Sequence, residues 1–171
     1  SKLTFRHCTL NPQKVKLQIN SETSVFIENS ITGQIACPSI GTLKIINSII
    51  DSGSYDIMAI ENAGTLIIEN STIIGGASTG IMELASNTIF YADGIISTIT
   101  SNRLQQGCVR FCYFPESSKL PSPYKCQPVM SGRPLRPIFA SLEYGSSQYS
   151  MLSKNCASEI SAGADDGGEM G

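Results

Sequence analysis

Six cysteines are the residues most able to do chemistry in this 171-residue chain. Four of them, Cys108, Cys112, Cys126 and Cys156, follow the spacing C-x3-C-x13-C-x29-C. Four thiolates can hold a zinc ion. Ribbon-type zinc sites bring their ligands in tight C-x2-C pairs, and no such pair is present. One or two disulfides, formed in an oxidising compartment, or free thiols fit this spacing better than zinc does.

Acid–base chemistry needs other residues. A glycosidase requires two carboxylates at a set separation. A lyase-type site requires acids for calcium with an Arg or Lys base beside them. Glu28 and Glu69 share one position of a repeat and face away from its apolar side, as solvated residues do. Asp51, Asp56 and Asp93 fall at turns, where Asp is common. His7, the only histidine, has no evident partner. The run Asp165-Asp166-Gly167-Gly168-Glu169 lacks the alternating ligands of a calcium loop and reads as a flexible acidic end. Arg103, Arg110, Lys119, Lys125, Arg133 and Arg136 are scattered among acids and prolines. With a net charge of −2 and no basic stripe, nucleic acid is not an expected partner. No cofactor is expected.

The elements that would position these groups come from a repeat. Leu66-Ile67-Ile68-Glu69-Asn70-Ser71-Thr72-Ile73-Ile74 is matched most closely by Leu43-Lys44-Ile45-Ile46-Asn47-Ser48-Ile49-Ile50. Val25-Phe26-Ile27-Glu28-Asn29-Ser30-Ile31-Thr32 is a third copy. Weaker ones are Leu3-Thr4-Phe5-Arg6-His7-Cys8-Thr9-Leu10 and Met82-Glu83-Leu84-Ala85-Ser86-Asn87-Thr88-Ile89. Aligned on His7, Asn29, Asn47, Asn70 and Ser86, the copies are 22, 18, 23 and 16 residues apart. A period near 20 residues is a solenoid signal. Each copy alternates with period two and is rich in β-branched residues, so it predicts a strand. Leu43, Ile45, Leu66, Ile68, Ile73, Leu84 and Ile89 should be buried in stacked rows.

Shorter alternating pieces lie between the copies: Val15–Ile19, Gln34–Cys37, Ile57–Ile60 and Ile95–Ile99. Turn residues separate them, among them Asn20-Ser21, Asp51-Ser52-Gly53 and Gly75-Gly76. Two or three short strands per turn and no helical period predict an all-β fold. The expected architecture is a short right-handed parallel β-helix of about five rungs. Cys8, at the Ser position of its copy, and Cys37, in an apolar piece, then read as small core residues. The Asn-Ser pair is corner chemistry, because both residues accept turn conformations. Stacked in register, Asn29, Asn47 and Asn70 can also bond to one another as a ladder.

Composition shifts near residue 102. Six of the eight prolines lie beyond it, and the net charge changes from −3 over residues 1–101 to +1 over residues 102–171. The expected division is a β-helix over 1–101, a cysteine-containing cap over 102–156 and a loose acidic tail over 157–171. Val109–Phe114 and Ile138–Leu142 are candidate strands of the cap, and Lys119–Pro128 a Pro-rich loop.

The tail also carries a resemblance. Arg103-Leu104-Gln105-Gln106-Gly107-Cys108-Val109-Arg110-Phe111, Tyr124-Lys125-Cys126-Gln127-Pro128 and Gly163-Ala164-Asp165-Asp166-Gly167-Gly168-Glu169-Met170-Gly171 resemble segments of uncharacterised bacterial proteins. In that group, pectate-lyase-like right-handed β-helix repeats precede such a tail, in an association with phage-tail-like gene clusters. The resemblance implies a longer protein on both sides and brings no activity with it. Cys112 is an extra cysteine relative to that pattern, and Ser150 stands where it has a cysteine, so no disulfide pairing carries over.

A dense repeat without a convergent polar site points to a non-catalytic structural or binding domain, and the resemblance implies that it is part of a larger bacterial protein. The alternative is a carbohydrate-active enzyme, lyase or hydrolase, or a glycan-binding module on the same scaffold. Expected partners are a protein, a surface glycan or flanking parts of the same chain, with self-association through open solenoid ends as a further route. No apolar run approaches the ~20 residues of a membrane span.

Overall fold

The computed structural model describes residues 1–20, 22–37, 41–128 and 135–171. Ser21 of the expected Asn20-Ser21 turn and Arg133 of the basic set lie outside the described residues.

β-Branched, alternating segments form strands here because each can bury one face and continue a ladder on both edges. The chain winds through three such faces in turn. The first carries β1 (Lys2–Arg6), β3 (Ser24–Glu28), β6 (Thr42–Ile46), the second half of β8 (Met58–Glu69) and the second half of β10 (Gly76–Ser86). The second carries β2 (Leu17–Gln18), β5 (Ile35–Ala36), the first halves of β8 and β10, and β12 (Ile99–Ser101). The third carries β4 (Ile31–Thr32), β7 (Ile49–Asp51), β9 (Thr72–Ile74) and β11 (Ile89–Tyr91). Every pairing among these strands is parallel, each strand to the one a turn later. The result is a parallel β-solenoid of about five turns, whose elements among the described residues are strands and one short helix.

Inside the coil the same register stacks like side chains in rows. Val25, Leu43, Leu66 and Met82 form one row, and Ile27, Ile45, Ile68, Ala85 and Val109 the next. Ile50, Ile73 and Phe90 line the third face, and Ile35, Ile60, Ala77 and Ile99 the second. All are at most 1% exposed. Burying such a side chain is worth about 1.5–3 kcal/mol, and each neighbouring rung supplies the wall that makes it possible.

One copy of the repeat is out of frame. The register between β8 and β10 slips between Met82 and Leu84, so Glu83 bulges out. Extra residues of this kind shift every later side chain to the opposite face. Met82 and Ala85 therefore occupy the core, and Leu84, expected in the buried row, is only partly buried. The same slip moves the corner position from Ser86 to Asn87.

The second-face reading of Ile95–Ile99 also needs trimming. Asp93 Oδ1 accepts hydrogen bonds from the N–H groups of Ile95, Ile96 and Ser97, which fixes a turn there. Ile95 and Ile96 are left exposed, and the strand starts only at Ile99.

Beyond residue 101 the winding goes on in shorter pieces. β13 (Cys108–Arg110) pairs with β10, and β14 (Pro123–Tyr124) pairs with β13. Single bridges Thr100↔Lys119 and Tyr113↔Gln127 do the same on the other two faces. The chain then folds back along the third face. Phe139 packs edge-on against Tyr91, and the Arg136 guanidinium lies 4.8 Å from the Tyr91 ring centre. Instead of a strand, residues 138–142 make two isolated bridges, Phe139↔Leu152 and Ser141↔Tyr149. The final segment carries α1 (Ser158–Ser161). Its Ile160 and the penultimate Met170 are buried with Ile89, Tyr113 and Cys156 in a second apolar cluster.

Candidate functional site

The corner after each first-face strand has a left-handed residue. His7, Asn29, Asn47, Asn70, Asn87, Phe111 and Lys125 all have φ between 46° and 51°. This conformation is strained for most L-residues, and Asn tolerates it best after Gly. The asparagine amides then face one another along the solenoid. Asn47 Nδ2 donates to Asn29 Oδ1 at 3.2 Å, Asn70 to Asn47 at 3.3 Å, and Asn87 to Asn70 at 3.1 Å. The tail closes the ladder. Asn87 Nδ2 also donates to Asp165 Oδ1 at 2.8 Å, and the Asp165 N–H donates to Asn87 Oδ1 at 3.0 Å.

The next residue of each corner turns inward and forms a second column: Cys8, Ser30, Ser48, Ser71, Thr88, Cys112 and Cys126. Each donates to the backbone carbonyl two residues earlier, at 2.7–2.9 Å for the hydroxyls and 3.0–3.4 Å for the thiols. Each serine hydroxyl also accepts the N–H of the preceding rung, as Ser48 Oγ does from Ser30 and Ser71 Oγ from Ser48 at 3.1 Å. Hydroxyls that bridge rungs in this way satisfy the backbone groups that a corner would leave orphaned.

The acids stay apart. Glu28 pairs with Arg6 at 2.7 Å on the outer surface, and Glu69 lies further along that row. Asp56 bonds to the Ser54 hydroxyl. His7 is exposed, and Asp166 Oδ1 accepts the Gly168 N–H. Asp51 differs: it is 3% exposed and accepts a hydrogen bond from the Tyr149 hydroxyl and another from the Gly53 N–H at 2.7 Å. A turn position gave no hint that this carboxylate would be covered, because the residue that covers it is far off in the sequence.

Of the four tail cysteines the structure brings only Cys112 and Cys126 together. Cys108 is exposed on β13, and Cys156 is buried in the second cluster. Among the described residues no group of three His, Cys, Asp or Glu side chains could hold a metal ion. Cys37 is free and partly buried, and burial pushes its thiol up to about 11.

Beyond the last rung lies a cavity of about 640 Å³. Phe114, Leu120, Pro121, Pro123 and Pro128 make its apolar wall, and Glu116, Ser118, Lys125 and Cys126 complete the lining. The sequence held a signal for this end that the Asn-Ser pattern hid: Phe111-Cys112 and Lys125-Cys126 are corner pairs like Asn70-Ser71, with a thiol in place of the hydroxyl.

Three parallel faces around stacked side-chain rows define a β-solenoid of about five turns. No family model, no curated protein and no solved structure matches the chain.

Proposed function

We propose that this chain is a non-catalytic structural and binding module of a larger bacterial protein. The observation that supports the reading best is the Asn29–Asn47–Asn70–Asn87 ladder closed by Asp165. The repeated polar side chains bond to one another and to the chain's own tail. They brace a rod instead of converging on a substrate. The buried Asp51 is likewise committed, to Tyr149 and Gly53. The bacterial setting and the larger parent protein rest on the resemblance of the tail segments. The partner of such a rod is a protein or a surface glycan, met by its outer rows or by the cavity beyond its last rung.

The test is turnover. The intact chain is incubated with pectin, alginate and peptidoglycan, and unsaturated products and new reducing ends are followed. A signal equal to that of heat-denatured protein is expected. Sustained product formation would overturn the proposal in favour of a carbohydrate-active enzyme.

A further inference from the structure

The inner corner column ends in two thiols on adjacent rungs. Arg110 pairs with Tyr124, and Tyr113 bridges to Gln127, so Cys112 lies directly opposite Cys126 between these two matches. Adjacent strands of a sheet are about 4.8 Å apart. That lies within the range of about 4.4–6.8 Å that a disulfide needs between its Cα atoms. Each thiol donates to the carbonyl two residues back in its own rung, Cys112 to Arg110 and Cys126 to Tyr124, so the two sulfurs stack on neighbouring rungs.

Their surroundings differ. Cys112 is fully buried in the main core, whereas Cys126 is partly exposed and lines the end cavity beside Lys125. At Ser30, Ser48, Ser71 and Thr88 a hydroxyl makes the same bond to the carbonyl two residues back, and at Cys8 a lone thiol does. Hydrogen bonding alone therefore does not call for sulfur at these two rungs. What sulfur adds is nucleophilic chemistry.

We propose that Cys126 and Cys112 are a reactive dithiol, in which Cys126 attacks a low-molecular-weight disulfide in the end cavity and Cys112 resolves the product. In the first step the Cys126 thiolate forms a bond to one sulfur of R–S–S–R. The reagent's own S–S bond breaks, and RS⁻ leaves and takes up the proton that Cys126 gave up. In the second step Cys112, deprotonated, attacks Cys126 Sγ. The mixed disulfide breaks and a second RSH leaves. Two protein thiols are oxidised and one small disulfide is reduced to two thiols. The order follows from exposure, because Cys112 is fully buried and Cys126 lines the cavity. It also agrees with acidity. Burial pushes the Cys112 thiol well above its ordinary range.

Oxidised glutathione is the probe. The reduced full chain is exposed to it, quenched in acid, and its peptides are mapped without reduction. The wild type should lose two of its six free thiols and yield a Cys112–Cys126 cross-link. Cys112→Ser should instead hold one glutathione on Cys126, and Cys126→Ser should leave Cys112 untouched. Serine already fills this column position at Ser30, Ser48 and Ser71, so both variants keep the corner's hydrogen bonds. The wild-type map decides even if a variant does not fold. Glutathione on exposed Cys108 with Cys126 unmodified would overturn the proposal, and so would a glutathione on Cys126 that never passes to Cys112.

Discussion

The Tyr149 hydroxyl donates a 2.5 Å hydrogen bond to the Asp51 carboxylate across 98 residues of sequence. Asp51 ends β7 on the third face of the solenoid, and Tyr149 belongs to the segment that folds back over that face. The bond joins the repeat to the part of the chain that does not repeat. It also explains how a carboxylate can be buried in a fold built from uncharged residues: a buried charge needs a donor, and here one is supplied from far away.

Tyr149→Phe should therefore cost about 1.5–3 kcal/mol, the usual worth of a hydrogen bond to a charged group. Burial first, then the bond to Asp51, holds the Tyr149 hydroxyl well above its ordinary value. Above pH ~10 the unfolded chain releases this proton while the folded chain keeps it, so the folded state binds more protons and stability falls as pH rises. The phenylalanine variant has no proton to lose at this position, so the gap between it and the wild type should narrow above pH ~10. Cys37, pushed up to about 11, adds to the alkaline loss in the same direction. Urea unfolding at neutral pH and again above pH ~10 measures both effects. A gap that widens with pH would contradict the assignment.

Ile68 and Leu84 should respond differently to truncation. Ile68 is fully buried in a five-member row, so Ile68→Ala should cost about 2–5 kcal/mol. Leu84 follows the Glu83 bulge and is only partly buried, so Leu84→Ala should cost clearly less. Chemical denaturation of the two variants side by side reads the difference. Equal losses would mean that β10 has no bulge at Glu83.

These residues also show what the sequence made legible. The period of the Asn-Ser copies and their alternation were enough for the solenoid, because each strand satisfies its own pleat and each corner its own turn. Glu83 was not legible: a one-residue bulge leaves no mark on composition, and it put Ser86 where Asn87 belongs. Likewise hidden was the continuation through β13 and β14. There Phe111 and Lys125 hold the left-handed corner without an asparagine, and thiols replace the hydroxyls. The closure of the ladder by Asp165 depends on a contact 78 residues long in sequence, which no local pattern encodes.

Asp165→Ala removes the side-chain bond from Asn87 and loosens the backbone bond beside it. It should release the last turn of the tail and leave the rungs intact. Amide exchange over 157–171 should quicken, while β3, β6 and β8 keep their protection. The Gly171 N–H, which donates to the Asn87 carbonyl at 2.9 Å, is the most sensitive reporter. Unchanged exchange throughout the tail would show that Ile160 and Met170 hold it without the ladder's help.

A double-mutant cycle on Asn47 and Asn70 tests most directly whether the repeated polar residues hold the rungs to one another. Glycine at either position keeps the left-handed corner and removes only the amide. The ladder predicts that Asn47→Gly and Asn70→Gly together cost less than the sum of the two single losses, with a coupling of about 0.5–1 kcal/mol in urea unfolding. Single losses that add to within about 0.3 kcal/mol would contradict it, and the asparagines would then be free to serve a ligand.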